Sequence, residues 1–132
     1  MQKQLQYAAG LFDGRGTFTL WKPSKQTWKH TYVRITAGPK KYPILDWLHE
    51  TFGGCISNVD KEGRKYWCIQ AKKAERFLTA IRPYSKLAYR RKQIDYILNK
   101  PMFAAGCQPT KAEIKVRKDY EKGWKKQLKK NV

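Results

Sequence analysis

The 132 residues set the scale of one domain, and 29 Lys and Arg against 10 Asp and Glu leave a net charge of +19. Apolar and aromatic residues make up 41% of the chain, enough for a core, so a disordered polycation is excluded, and no apolar run approaches the ~18 residues of a membrane span. The opening Met1-Gln-Lys-Gln-Leu-Gln lacks the apolar stretch of a secretory signal, and Cys55, Cys68 and Cys107 are odd in number with no CxxC pair; a reducing compartment is expected, with neither a disulfide framework nor a zinc site.

The surplus is spread along the chain: residues 1–71 carry +6 and residues 72–132 carry +13. A small domain so charged repels itself. A polyanion relieves the repulsion, and nucleic acid does so with release of condensed counterions. A membrane surface calls for a basic amphipathic helix with a strongly apolar opposite face. Only the C-terminal helix has the charge, and its apolar face is thin. Lysines that merely solvate a surface usually come with as many glutamates, which is not the case here.

Leu5, Ala8, Ala9, Leu11 and Phe12 predict a helix over 4–14, broken by Gly14 and Gly16. Residues 16–22 and 28–36 alternate with period two around Pro23-Ser-Lys-Gln, the pattern of a hairpin. A short helix is expected over 43–52, with Ile44, Leu45, Leu48 and Phe52 on one face, Pro43 in its first turn and Gly53-Gly54 at its exit. A second hairpin joins strands 55–59 and 64–70 through Asp60-Lys-Glu-Gly63. Ala74, Phe77, Leu78 and Ile81 predict a helix over 71–82 closed by Pro83, and another helix covers 85–99. After a loop over 101–109, the last helix spans 110–129, opened by Thr110 and Glu113 as a capping box. The order α-β-β-α-β-β-α, a weakly repeated helix–hairpin unit, is α+β: one domain over 1–100 with a basic helical extension of the same domain over 101–132.

The stretch Ala8-Ala-Gly-Leu-Phe-Asp-Gly-Arg-Gly-Thr-Phe18 resembles the signature of the LAGLIDADG homing endonucleases. Other segments look alike in the same order. Leu45–Gly54 resembles the second helix and its glycine exit. Tyr66-Trp-Cys-Ile-Gln and Ala74–Tyr84 resemble the last strand and following helix, and Pro109–Asn131 the closing helix of the phage and organellar single-motif branch. One motif copy implies the single-motif, intron-encoded subclass, placed in an organelle matrix or a bacterial or phage-infected cytoplasm. The resemblance implies an αββαββα half-saddle, an antiparallel four-stranded sheet packed on helices, with extra C-terminal helices. It also implies that two motif helices pack together and that their C-terminal ends each deliver an acid that holds divalent metal at the DNA. Gly10 and Gly14, four apart beside Ala9, form a face where two backbones can approach closely. The ordinary alternative is a glycine-containing helix packed on its own sheet.

The family's metal-binding acid lies between the last two glycines of the motif, and here that residue is Arg15. A guanidinium is a permanent cation with donors only, whereas metal-assisted phosphodiester hydrolysis needs carboxylate oxygens. Asp13 is the one acid in the motif, and it lies roughly 200° around the helix from Arg15 at ~3.6 residues per turn. Spacing after Pro83-Tyr84 departs from the family's basic residue and glutamine, so Lys86, Arg90 and Lys92 receive no catalytic role. Cleavage is therefore not expected, and no catalytic residue, metal site or cofactor is assigned; Asp13 and Mg²⁺ enter only if the chain is an active enzyme. Two Arg15 side chains near a twofold axis repel by about 1 kcal/mol at ~4 Å in water, and by about 4 at an intermediate dielectric. That argues against a free homodimer unless phosphate lies between them. The other arrangement is a single copy within a larger ribonucleoprotein or beside a different partner.

Strand alternation turns Phe18, Leu20, Val33, Ile35, Trp67 and Ile69 toward the helices. The opposite face then carries Thr17, Thr19, Trp21, Trp28, His30, Tyr32, Arg34, Arg64, Tyr66 and Gln70, with Lys22 and Lys25 in the first hairpin turn. Arg15 and the run Arg90, Arg91 and Lys92 complete the candidate nucleic-acid-binding set. Arg reads guanine edges or phosphates, Gln reads adenine, and aromatics stack on unpaired bases. The ordinary reading of Trp21, Trp28 and Tyr32 is packing, and His30 has no evident second ligand for a metal. The lysines of the last helix meet phosphate or solvent without reading sequence. The sequence thus favours a nucleic-acid-binding pseudoenzyme descended from homing endonucleases. Structured RNA ranks first as its target, in a maturase-like or ribosomal role, and duplex DNA second. The alternative is an active, Mg-dependent, site-specific homing DNA endonuclease working as a homodimer; a basic protein–protein adaptor comes third.

Overall fold

The structure, a computed structural model, describes residues 2–21, 30–58, 61–99 and 110–129. Helix α1 (Gln2–Arg15) buries Ala8, Ala9 and Phe12 along one stripe. Gly14 does not break it. The helix continues to Arg15 and closes where the Gly16 N–H donates to the Phe12 carbonyl at 3.0 Å. Gly16 is held to glycine by its own helix: a Cβ there would lie 2.1 Å from Phe12 Cδ1.

Strands β1 (Thr17–Trp21), β2 (His30–Ala37), β3 (Cys55–Asn58) and β4 (Lys65–Gln70) form one antiparallel sheet in the order β1-β2-β4-β3. The two hairpins lie side by side, with Val33 opposite Ile69 and Ile35 opposite Trp67 in the central pair. Period-two alternation assigns the faces: Thr31, Val33, Ile35 and Ala37 are buried, and the residues between them half-buried. Helix α2 (Tyr42–Phe52) follows a 3-10 turn over Pro39–Lys41 and carries Pro43 in its first turn. Helix α3 (Ala71–Ile81) buries Ala74, Phe77, Leu78 and Ile81. Phe77 joins the elements through ring contacts to Phe12 (5.0 Å), Phe52 (4.9 Å) and Trp67 (5.5 Å). The exit of α2 needs glycine. Gly53 and Gly54 sit at φ +78° and +87°, and a Cβ on Gly54 would fall 2.4 Å from the Cys68 carbonyl oxygen. Trp67 Nε1 donates to the Gly53 carbonyl at 2.7 Å, fixing this bend against the sheet.

The region after α3 differs from expectation. Pro83 lies in a 3-10 turn over Arg82–Tyr84, and helix α4 (Ala88–Leu98) starts three residues later than its periodicity predicts. The cause is tertiary: the Asp13 carboxylate accepts hydrogen bonds from Ser85 Oγ at 2.6 Å and the Lys86 N–H at 2.8 Å. These bonds hold Ser85 buried and extended, in competition with helix.

Helix α5 (Lys111–Lys129) opens at Thr110, whose Oγ1 accepts the Glu113 N–H at 3.2 Å. Thr110 Oγ1 and the Glu113 carboxylate lie 3.3 Å apart, so Glu113 engages the hydroxyl within the expected cap. Tyr96 and Tyr120 dock α5 on α4: their rings stack at 4.8 Å and each hydroxyl donates to the other's carbonyl. Trp124, 3% exposed, packs 5.9 Å from both Tyr96 and the inward-facing Phe18. The 101–109 loop, Cys107 and the first turn of the second hairpin at 59–60 lie outside the described residues. No helix among the described residues is long and apolar enough to cross a membrane.

Candidate nucleic-acid interface

The face of the sheet turned away from the helices is assembled by register. Thr17 stands opposite Arg34, Tyr32 opposite Gln70, and Tyr66 opposite Thr36 on one side and Ser57 on the other. Cys68 lies between Arg34 and Cys55. Thr17, Tyr32, Arg34, Tyr66 and Gln70, all expected there, line one hollow of about 590 Å³ together with Cys55, Ser57 and Cys68. Cys68 and Thr36 lie on the alternation that carries Gln70 and Arg34 and were readable from it, whereas Cys55 and Ser57 are hidden because β3 is four residues long with no alternating pattern. The register against β4 is the signal that finds them.

The guanidinium of Arg34 lies 5.6 Å from the centroid of the Tyr66 ring, a cation–π contact that helps orient its donor fork. His30 Nε2 and Gln70 Oε1 are 3.3 Å apart. Burial, then the neighbouring Cys68, pushes the Tyr32 hydroxyl well above its ordinary pKa, and burial likewise raises the Cys68 thiol. Both groups are neutral at physiological pH, so the fixed charge in the hollow is that of Arg34.

The remaining candidates are dispersed. Thr19 and Trp21 enter β1 by backbone register, opposite Tyr32 and His30. Lys22, Lys25 and Trp28 lie outside the described residues. Arg64 is exposed just before β4, Lys92 is exposed on α4, and Arg15 is exposed as the last residue of α1. Arg90 and Arg91, expected as part of an open cationic run, bond within the chain. Arg90 Nη2 donates to the Gly16 carbonyl at 2.9 Å with its guanidinium 5.5 Å from the Phe18 centroid, and Arg91 Nη1 donates to the Ser85 carbonyl at 2.7 Å. Arg90 thus reaches the residue that closes α1, and Arg91 reaches back to the extended residue that delays the start of its own helix.

Ala9 is buried in the core, whereas Gly10 and Gly14 are exposed, with nothing within 4 Å of where a Cβ would stand. With Tyr7, 55% exposed, they make one open face of α1. The donor set at the C-terminal end of this helix does not fit a divalent cation. Arg15 offers no acceptor, and both Asp13 carboxylate oxygens already accept hydrogen bonds. Among the described residues no cluster of three or more His, Cys, Asp or Glu is placed to hold a metal ion.

No protein-family model matches the sequence, and no curated protein does. Solved structures match it throughout the fold. The homing endonuclease I-CvuI, in complex with a DNA target in the presence of Mg and with the DNA not cleaved, aligns at TM-score 0.61 and 16% identity. That alignment covers 74% of this chain and 64% of I-CvuI, just under two thirds of its length. The archaeal intron-encoded homing endonuclease I-Vdi141I, complexed with DNA, aligns at TM-score 0.65 and 15% identity over 95% of this chain and 84% of its own. The LAGLIDADG meganuclease I-AabMI, bound to uncleaved DNA, aligns at 0.59 and 17% over 70% and 34%. The chain therefore has the fold of the LAGLIDADG endonucleases: an α+β half-saddle with a four-stranded antiparallel sheet, carrying an added C-terminal helix.

Proposed function

We propose that this chain is a single-motif relative of the LAGLIDADG endonucleases that binds duplex DNA through the outer face of its sheet and does not cut it unaided. The observation that carries the reading is the gathering of Arg34, Gln70, Tyr66, Tyr32 and Thr17 around one hollow on the side of the sheet away from the helices. Arg and Gln are the side chains that pair bidentately with guanine and adenine in the major groove. A chain of net charge +19 gains affinity for any phosphate backbone.

The sequence ranks folded RNA before DNA on its dense charge, on Arg15 and on its exposed aromatics. Two of these, Tyr32 and Tyr66, are half-buried, and Tyr66 already faces Arg34. The aligned structures contain DNA. Both observations support duplex DNA as the first choice. Selection from a randomised duplex library, in competition with a pool of folded RNA, tests it. A recurrent duplex sequence is expected, and Arg34→Ala should weaken binding to it by about 5- to 150-fold, the ~1–3 kcal/mol of a bidentate base contact. Recovery of folded RNA in preference to DNA would refute the reading.

A second reading, an Mg-dependent homing endonuclease acting as two paired copies, draws support from the aligned structures being homing endonucleases. It requires carboxylate ligands that the end of α1 does not offer. Arg15→Glu restores an acid at that place, so the variant should cut a selected site with Mg²⁺ where the natural chain does not. Specific cutting by the natural chain would establish the second reading. In either case the open Gly10–Gly14 face suits a second α1 helix, with DNA phosphate between the two Arg15 side chains.

A further inference from the structure

We infer that the solvent face of α5 is a second nucleic-acid contact, a rail of lysines that holds duplex phosphates without reading bases. Lys111, Lys115, Lys118, Lys122, Lys125 and Lys126 are all exposed. At 100° per residue they fall within an arc of roughly 100° and extend about 22 Å along the axis. The opposite side of the same helix is the docked one, where Tyr120 and Trp124 seat α5 on Tyr96 and Phe18. Phe18 faces the helix layer, so the rail does not continue the sheet's outer hollow.

A merely solvated helix face interleaves acids with its lysines at i,i+4. Here, among the pairs that these six lysines make at that spacing, the like-charged ones, Lys111/Lys115, Lys118/Lys122 and Lys122/Lys126, outnumber the opposite-charged ones, Lys115/Asp119 and Glu121/Lys125, an arrangement that weakens a helix on its own. The one exposed acid nearby, Asp119, lies at the margin of the arc. Among the described residues, none of the six ammonium groups has a carboxylate partner. A 22 Å length of duplex presents about 13 phosphates, more than enough to neutralise the row. A lipid surface is the weaker match: Tyr120 and Trp124 are docked on α4, and the exposed large apolar side chains of α5 among the described residues, Ile114 and Val116, stand about 160° apart around the helix and form no common face.

The inference rests on the DNA-binding reading, and the experiment separates the two. Full-length protein and the quadruple variant Lys115→Gln, Lys118→Gln, Lys122→Gln, Lys125→Gln are titrated with a short duplex of arbitrary sequence at several salt concentrations. Gln preserves helix propensity, and the exposed sites leave the core intact. The slope of log K against log salt should become shallower by about 3.6, four contacts at about 0.9 each. Between about 50 and 200 mM salt the natural chain should therefore lose about 150-fold more affinity than the variant. Replacing the same four lysines by arginine should restore the slope. An unchanged slope overturns the rail while leaving the sheet reading standing. Loss of binding to vesicles of anionic phospholipid, with the duplex slope unchanged, overturns it in favour of a membrane. If the natural chain binds no duplex at all, the parent reading fails and the rail with it. Arg34→Ala, by contrast, should abolish preference for a selected sequence and leave the slope within about one charge.

Discussion

Replacing Gly10 and Gly14 by alanine distinguishes a helix that packs only on its own sheet from one that meets another backbone. Both residues are exposed in α1, and a Cβ at either place meets nothing within 4 Å. Glycine inside a helix costs about 0.5–1 kcal/mol relative to alanine, through the backbone freedom lost on folding. The double variant should therefore gain roughly 1–2 kcal/mol as a lone chain, a rise of roughly 3–8 °C in Tm for a domain of this size. Gly16 is the control within the same motif. Its Cβ would lie 2.1 and 2.6 Å from Cδ1 and Cγ of Phe12, whose ring is 2% exposed and held 5.0 Å from Phe77. Overpacking there should destabilise by about 1–3 kcal/mol. Urea unfolding at low protein concentration, without nucleic acid, measures all three substitutions. Sedimentation with duplex DNA then counts the copies bound. The expected pattern is a more stable chain that no longer assembles as a pair on DNA. A double variant less stable than the natural chain would refute the open-face reasoning. A more stable one with unchanged stoichiometry would show that no second backbone uses the face.

Trp124→Ala should cost about 3–5 kcal/mol, the usual loss for a buried large aromatic, and free α5 from α4; urea unfolding and amide exchange along α5 test this. Ala71 begins α3 at φ +56°, a left-handed conformation costing an L-residue about 1–2 kcal/mol, so Ala71→Gly should raise Tm slightly in a thermal melt. Hydrogen bonds from Arg82 hold the Asp95 carboxyl below its ordinary range, with Arg82 Nη2 2.7 Å from Asp95 Oδ2. A depressed carboxylate pKa stabilises the fold above the unfolded value of ~3.9, and the contribution is lost as pH falls through the folded value. Urea midpoints of the natural chain and Asp95→Asn should therefore differ near neutrality and converge in acid; parallel curves would refute the role of the pair.

Much of the architecture was legible because periodicity reports burial directly. The alternation of 28–36 named Val33 and Ile35 as inward, and both are buried. The spacing of Ala74, Phe77, Leu78 and Ile81 located the apolar face of α3. The end of α1 was readable to within one residue: the glycines predict a stop at Gly14, and the helix runs on to Arg15. Less legible was everything settled by contacts between residues far apart. Asp13 looked like a spare acid, yet it binds Ser85 and Lys86, 72 and 73 residues away, and that capture delays α4. Arg90 and Arg91 read as an open cationic run, yet they donate to carbonyls of Gly16 and Ser85. Cys55 and Ser57 joined the hollow only through pairing register, which no single strand contains. The amino-acid order by itself determined most of the elements, their inner faces and the cationic surplus, since each follows from local periodicity or composition. Only the tertiary structure decided which polar side chains are held by the protein and which stand open to a ligand. That choice depends on hydrogen-bond partners that come within reach after the chain has closed on itself.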